Sequence, residues 1–389
     1  MRKYISICAN ELDTYLDYTI FTIIAIYTLY AFPSLIGILG ACFAIPFFML
    51  GRMYGIYFDK GDILRARIIF FSANSLVIPL ILLSDSMIHL YIIVLIKSAC
   101  RCGIAISNTK LNREDKEAKR FYELYGYMIN VSRIFIPLLV IYLNANYGLW
   151  VVVLLSVILN LTGMLVSVFD DKNKFRGGGD NKYMERSDFS LRFLMKNNVE
   201  FYFLVFAYTL SNLAFFMSND LLGIFFEKIG HGEKSIGFII TLLGVGGLLG
   251  TWFSGIMVKT QSSKNILVSS VTVNSVAFFG FGFLAVENYH YIIYYIFIFM
   301  VGISSGMTFF AIRYGVRNIV GYKNTAKVTG GIQKISSIVA ILMPIGGGYL
   351  ANVMGVEFTF KLTSIMLALI IVFVLFKKNL TTIKRSDCV

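Results

Sequence analysis

Apolar residues fill the chain in long blocks separated by short polar breaks. An uninterrupted apolar run of about 20 residues crosses a bilayer as a helix, because the helix satisfies its own backbone polar groups where no water is present. Twelve blocks fit that description, at 4–29, 34–54, 66–84, 88–107, 119–143, 149–169, 199–224, 235–257, 264–286, 290–312, 325–350 and 355–376. A polar stretch divides them six and six. The pattern predicts an all-α membrane protein of 12 transmembrane helices. Its parts are an N-terminal six-helix bundle over 1–169, a linker over 170–198, a C-terminal six-helix bundle over 199–376 and a tail over 377–389. Within the linker, "RGGGDNK" reads as a flexible hinge and "MERSDFSLRFLMKN" as an amphipathic helix on the membrane surface.

Composition agrees with that division. The 389 residues are 57% hydrophobic and only 15% charged, with a mean hydropathy of +0.73, far more apolar than a soluble domain. The net charge of +13 would suit a nucleic-acid binder, but in a membrane protein it marks Lys and Arg retained on the cytoplasmic side. The bases cluster accordingly. Arg52, Lys60, Arg65 and Arg67, then "KLNREDKEAKR", the linker, "IRYGVRNIVGYKN" and "KKNLTTIKR" all fall on one side of the membrane. Both termini and the linker are therefore expected in the cytoplasm, in a multi-pass protein of the cell membrane. The five cysteines are scattered, so neither a disulfide framework nor a metal site is expected.

The halves repeat one another. Gly55, Ile56, Asn74 and Ser75 recur 200 positions later as Gly255, Ile256, Asn274 and Ser275. Pro137, Tyr142, Leu143 and Gly148 recur 207 positions later as Pro344, Tyr349, Leu350 and Gly355. Two pseudo-symmetric six-helix halves place a binding site between them near mid-membrane. Asp59 is matched by Lys259, so the second copy keeps the glycine and loses the acid.

The loop after the second block, "GRMYGIYFDKGDILR", resembles the signature loop of the major facilitator superfamily, with Gly55, Asp59, Lys60 and Arg65 at the matching places. Its Asp59-Lys60-Gly61-Asp62 spacing resembles the variant found in macrolide- and drug-efflux members, although Ile63 and Leu64 stand where bases are usual. "FAIPFFMLG", with Pro46, and Lys97-Ser98 in the fourth block resemble the same subgroup. The resemblance implies the major facilitator fold, with helices one and four lining a central cavity, helix five beside it, and the Asp59 loop as a cytoplasmic gate. Pro46, Pro137, Pro344 and Gly255 are expected at helix-packing or hinge positions. Gly55 has a physical reason of its own, since a residue without a side chain lets two helices approach closely.

Three acids, Glu11, Asp13 and Asp17, open the chain. Asp17 falls near the middle of the first helix. Asp13 lies one turn nearer the cytoplasm on the same face, about 40° and about 6 Å away. Glu11 points the other way and is expected in the solvated headgroup zone. A charge at the bilayer centre costs at least ~2.5–3.5 kcal/mol, so such groups turn inward and find partners. Lys97, Arg101 and Arg133 are the candidates. Such a set is either a static neutralised network or a proton carrier whose load changes as the cavity opens to each side. The expected function is secondary active transport, proton-coupled, exporting an amphipathic small molecule such as an antibiotic or toxin. Alternatives are a proton-coupled uptake symporter and a self-immunity exporter of a peptide antibiotic. A non-transporting sensor lacks an output domain, and a membrane-embedded enzyme lacks any H-E-x-x-H, G-x-S-x-G or phosphate-loop motif. The expected partners are a small-molecule substrate and the lipid bilayer, with no nucleic acid, no cofactor beyond the coupling proton, and a monomeric chain.

Overall fold

A computed structural model describes residues 2–29, 31, 33–60, 62–111, 117–169, 191–219, 221–229, 234–284 and 292–386. The described residues form helices and no strand. The first half holds α1 (Arg2–Ile23), α2 (Pro33–Lys60), α3 (Ile63–Val77), α4 (Met87–Asn108), α5 (Ala118–Tyr147) and α6 (Leu149–Val168). A short α7 (Leu191–Asn197) precedes the second half. There α8 (Val199–Ser218) and α9 (Leu221–Lys228) share one span, followed by α10 (Lys234–Met257) and α11 (Ser263–Phe283). The last three are α12 (Ile292–Tyr322), α13 (Asn324–Met354) and α14 (Val356–Ser386). Among the described residues, eleven helices are long and apolar enough to cross a membrane. The twelfth is α1, whose three acids lower its hydropathy although it packs along α5 and α6 like the others.

Local signals set the ends. Asp62, Ser86, Asn198 and Ser262 cap α3, α4, α8 and α11 through their side-chain oxygens. The repeat is visible in backbone angles. Gly148 and Gly355 end α5 and α13 with φ of 84° and 89°, a left-handed conformation that favours glycine. Their repeat partners Pro137 and Pro344 lie inside those same two helices.

Each half has its own core. Leu16, Phe21, Val94 and Val152 belong to the first, and Phe225, Phe278, Phe281 and Phe360 to the second. Two smaller clusters cross between halves. One joins Ile7, Tyr122 and Tyr125 to Phe310, and the other joins Phe58 and Ile106 to Ala326. Both lie at the end of the bundle where α1 begins, here called the terminal face. The halves meet through α2 against α13 and α5 against α10, the second helix of each half on the fifth of the other. An exchange of that kind is what a pseudo-twofold repeat demands.

The closest approach of α2 and α13 lies toward the terminal face. A Cβ on Gly55 would lie 2.7 Å from the Ala326 carbonyl oxygen, and one on Gly330 would lie 2.3 Å from that of Gly51. Further along α2 and α13, Cβ atoms on Gly37, Gly40 and Gly348 would meet nothing within 4 Å. On α2 these glycines recur at three- and four-residue steps and so share a face. The halves are thus sealed at the terminal face and part toward the other end.

Two sequence expectations change here. The basic segment "IRYGVRNIVGYKN" was expected as a loop after 312, but α12 runs on to Tyr322. At 31 residues, or about 46 Å, it reaches well past a bilayer core. The residues 377–386, expected as a tail, continue α14 to Ser386. Of the amphipathic linker helix only Leu191–Asn197 is described, and the rest of that expectation lies outside the described residues.

Candidate functional site

Asp17 and Asp13 face into the first half from α1, one turn apart. Asp17 is 0% exposed and Lys97, on α4, is 1% exposed. Lys97 Nζ donates to Asp17 Oδ1 at 2.6 Å, to Asp13 Oδ2 at 3.4 Å and to Ser156 Oγ at 3.3 Å. Arg101, one turn along α4, donates to the other oxygen of Asp17. Ser156, on α6, donates to Asp13 Oδ1. Two acids and two bases thus cancel inside one half, and the carboxylate oxygens are all occupied. Such mutual satisfaction is what allows ionised groups to sit in an apolar interior. Ser156 went unnoticed in the sequence because one serine in an apolar helix is ordinary.

Arg133 is not part of that network. Its Nε donates to the Tyr15 hydroxyl at 3.2 Å and its Nη1 to Ser305 Oγ of the second half at 3.4 Å. On α5 it lies beside the face that packs on α10, which turns it away from Asp17 and toward the interface.

Glu11 is buried, contrary to the headgroup position expected. Its carboxylate accepts from Tyr125 Oη at 3.2 Å and from Asn10 Nδ2 at 3.0 Å. Arg313, on α12, lies over the Tyr125 ring at 4.9 Å. Glu11 does point away from Asp13, as helix geometry requires, but α5 and α12 cover that face. Arg67, expected as a surface base, is 1% exposed and donates to Ser6, Ser107 and Asn108. Asn108 in turn donates to Tyr125 Oη at 3.0 Å.

Asp59 bridges the two halves at the terminal face. One carboxylate oxygen pairs with Lys110 Nζ at 2.5 Å, and the other accepts the backbone N–H of Lys327 at 2.9 Å. Lys327 is in the first turn of α13, where free amides and the helix dipole favour an anion. Lys110 also donates to the Tyr322 carbonyl at 2.9 Å and lies 4.6 Å from the centre of its ring. Arg317 covers the same ring at 4.7 Å. The partners of Asp59 are therefore Lys110 and α13 rather than its loop neighbours. Arg65 is exposed, with its backbone N–H capped by Asp62 at 3.1 Å, and the side chain of Lys60 lies outside the described residues.

Gly255 repeats the role of Gly55. A Cβ there would lie 1.9 Å from Glu123 Oε1 on α5, so both repeat glycines sit on inter-half contacts. Pro46 is buried within α2. No group of three or more His, Cys, Asp or Glu side chains fit to hold a metal occurs among the described residues.

Comparisons agree with this architecture. The family model described as Major Facilitator Superfamily matches residues 7–333. The human organic anion transporter MFSD10 (TETRAN) superposes with a TM-score of 0.73 at 11% identity, over 95% of this chain and 98% of that one. A bacterial homologue of the iron transporter ferroportin, in an outward-facing state, gives 0.69 at 13% identity over 96% and 98%. The nucleoside transporter NupG gives 0.68 at 12% over 95% and 97%. Identities this low speak for the fold alone, and none of these three structures is described as a macrolide exporter. A search of curated proteins finds no match. With two repeated six-helix halves, a sealed terminal face and a family match over most of its length, the chain belongs to the major facilitator superfamily and is a membrane transporter of that type.

Proposed function

We propose that the protein is a proton-coupled secondary active transporter of an amphipathic small molecule, with Asp17 and its neighbour Asp13 as the proton carriers. The observation that carries this is the buried Asp13–Asp17–Lys97–Arg101 network at mid-depth of the first half. Four ionised groups buried in an apolar interior are costly unless they do something a set of apolar side chains cannot. Two stacked carboxylates sharing one lysine supply such a task, since loss or gain of one proton unbalances the set.

The basic residues favour a cytoplasmic terminal face, and on that reading the cleft is open to the outside. Export of an antibiotic- or toxin-like compound is the direct form of this function. It requires proton and cargo to take turns in the cleft. Uptake by symport is a second form, favoured by one observation: Arg133 lies outside the Asp13–Asp17 network and reaches the second half at Ser305, so a proton and an anion could load together. The fold does not choose the cargo, as its structural neighbours are a human organic anion transporter, a bacterial homologue of the iron transporter ferroportin and a nucleoside transporter.

The test is proton flux into proteoliposomes holding the purified chain, with wild type beside Asp17→Asn and Asp13→Asn. Asp17→Asn should insert and fold but lose gradient-driven transport. Wild-type transport in Asp17→Asn, still sensitive to an uncoupler, removes Asp17 from the mechanism.

A further inference from the structure

Two buried amides face each other inside the first half, on the side of the ion network away from the second half. Phe71 of α3 meets α6 at Gly163, where a Cβ would lie 2.5 Å from its ring. Beyond α3, Ile78 and Ile81 share a core with Val152 and Val153 of α6. The two helices therefore run side by side in opposite directions. Between those two contacts, one turn from Phe71 and from Gly163, come Asn74 and Asn160, and the register sets them opposite one another. Phe70 fits against Gly103 of α4 in the same way. Asn74 lies about 40° round α3 from Phe70, so it is turned toward the place where α3, α4 and α6 meet.

Asn74 is 2% exposed and Asn160 is 1% exposed, and the Oδ1 of each accepts no hydrogen bond. Asn160 Nδ2 donates to the Ser156 carbonyl at 2.9 Å. The Ser156 hydroxyl donates to Asp13 and accepts from Lys97 at 3.3 Å. The amide pair is thus the next polar layer behind the network. Two carbonyl oxygens cannot satisfy each other, and a buried acceptor left unpaired is costly. They need a small donor between them. Lys97 is held by Asp17 at 2.6 Å. A water has the two protons required, and its oxygen can accept from the buried, free thiol of Cys100, which α4 brings to the same level.

The second half supplies the contrast. Asn274 repeats Asn74, and its Oδ1 is buried and unpaired as well. The 207-position shift that relates Pro137 to Pro344 takes Asn160 to Leu367, which is buried in an apolar core. Of the two halves, the one with facing amides is the one with the ion network.

We propose that Asn74 and Asn160 hold a water molecule between α3 and α6, and that this water reorients as Asp13 and Asp17 gain or lose a proton. The proposal rests on the reading that these acids carry the proton. The charged groups that face them are Lys97 and Arg101, both from α4. From α6 comes the Ser156 hydroxyl, while Arg133 of α5 turns to Tyr15 and Ser305. One proton changes the net charge of this set by one unit. A dipole free to turn, linked to Asp13 through Ser156 and Asn160, offsets part of that change without admitting solvent to the half.

The test is infrared difference spectroscopy between acid and neutral pH on the purified full chain in liposomes, in ordinary and heavy-oxygen water. Wild type should show a water O–H band that shifts with the oxygen isotope. The band should vanish in Asn74→Leu and in Asn160→Leu, and in the double variant Asp13→Asn with Asp17→Asn, which has no carboxyl to load. Asn74→Ser keeps an acceptor and should keep the band, so the outcome does not hang on the leucine variants folding. Thermal unfolding adds a control. Each leucine variant should lower the midpoint, and the two together should lower it no further than the worse one alone, because both lose the same water. Asn274→Leu, which removes an acceptor that faces Leu367, should leave the midpoint unchanged or raise it. Asn74→Leu and Asn160→Leu behaving like Asn274→Leu, or keeping the band, would overturn the proposal. A band lost in the leucine variants but unaltered without the two carboxyls overturns it too, since the water would then ignore the network. A band that follows Asp13 and Asp17, in a protein whose transport is indifferent to a proton gradient, keeps the water site and removes the proton-coupled reading.

Discussion

Two buried charge systems sit some turns apart on the same helices, and they are built for opposite fates. The Asp13–Asp17 network draws all its partners from α1, α4 and α6, inside one half. The terminal-face system crosses between halves, tying Asp59 to the first turn of α13 and setting Tyr125, which donates to Glu11, beneath Arg313. A rigid-body rocking motion leaves the first intact and must break the second in every cycle. Full satisfaction suits the group that persists. Single contacts backed by glycine-lined backbone approach suit the group that lets go.

The sharpest way to break this contrast is to remove a partner from the persistent set. Lys97→Ala leaves Asp17 with Arg101 alone and Asp13 with Ser156 alone, and loss of one partner from a buried pair costs about 3–5 kcal/mol. Thermal unfolding of the purified chain should show it, with Lys97→Arg much milder. Equal damage from both substitutions would deny Lys97 a charge-pairing role.

Next in size is Gly55→Val, which forces side-chain atoms against the Ala326 backbone. Overpacking of about 1–3 kcal/mol should open the terminal face and widen the distance between spin labels on the terminal ends of α2 and α13. Gly255→Val should do less, because its obstacle is the flexible Glu123 side chain. A Gly55→Val protein with the wild-type distance distribution would mean that the glycine contact does not hold the face shut.

Asp59→Asn should widen the same distance by a smaller population shift. A partly solvated charged contact of about 1–2 kcal/mol moves a two-state balance by roughly five- to thirty-fold. No shift, together with unaltered transport, reduces Asp59 to a topology signal. Combined with Lys97→Arg, its effect should simply add, since the two systems share no partner.

The smallest effect concerns pH. Protonation of Asp13 or Asp17 removes one negative charge facing Lys97, Arg101 and, through Asp13, Ser156. An anionic probe should therefore bind a few-fold more tightly as pH falls, and Asp17→Asn should flatten the response. Weaker anion binding in acid would favour alternate loading of proton and cargo.

Sequence periodicity revealed the spans and the shared face of Asp13 and Asp17, which follow from helix geometry. Lys97 and Arg101 became candidate partners through the cost of charge in lipid and the family resemblance that sets helices one and four around one cavity, and the close approach at Gly55 and Gly255 through the signature loop and the repeat. What stayed hidden was contact across the halves. Glu11, Arg67, Lys110, Arg313 and Arg317 all lie toward the terminal ends of their helices, where a charge is ordinarily solvated. Their burial depends on surfaces far away in the chain, as Lys110 meets Tyr322 across 212 positions. The basic excess of the sequence is thus partly spent inside the protein, at the terminal face. Arg133 was misassigned for a related reason: its height along α5 was legible, but which neighbour it faces depends on how α5 rolls against α10.

The sealed terminal face has an electrical consequence. Where the halves part, water carries the potential of that side down toward mid-depth, and the membrane voltage falls mainly across the closed layer. In the proposed proton-coupled cycle, a proton resting on Asp17 is then nearly at the potential of the open side. After the halves rock, the same proton, on the same oxygen, would be nearly at the potential of the other side. It would scarcely have moved within the protein, yet would have crossed most of the field, worth about 2.3 kcal/mol per 100 mV. Voltage would therefore act on the rocking step far more than on proton binding, and it would be felt as a bias between the two states rather than as a change in affinity.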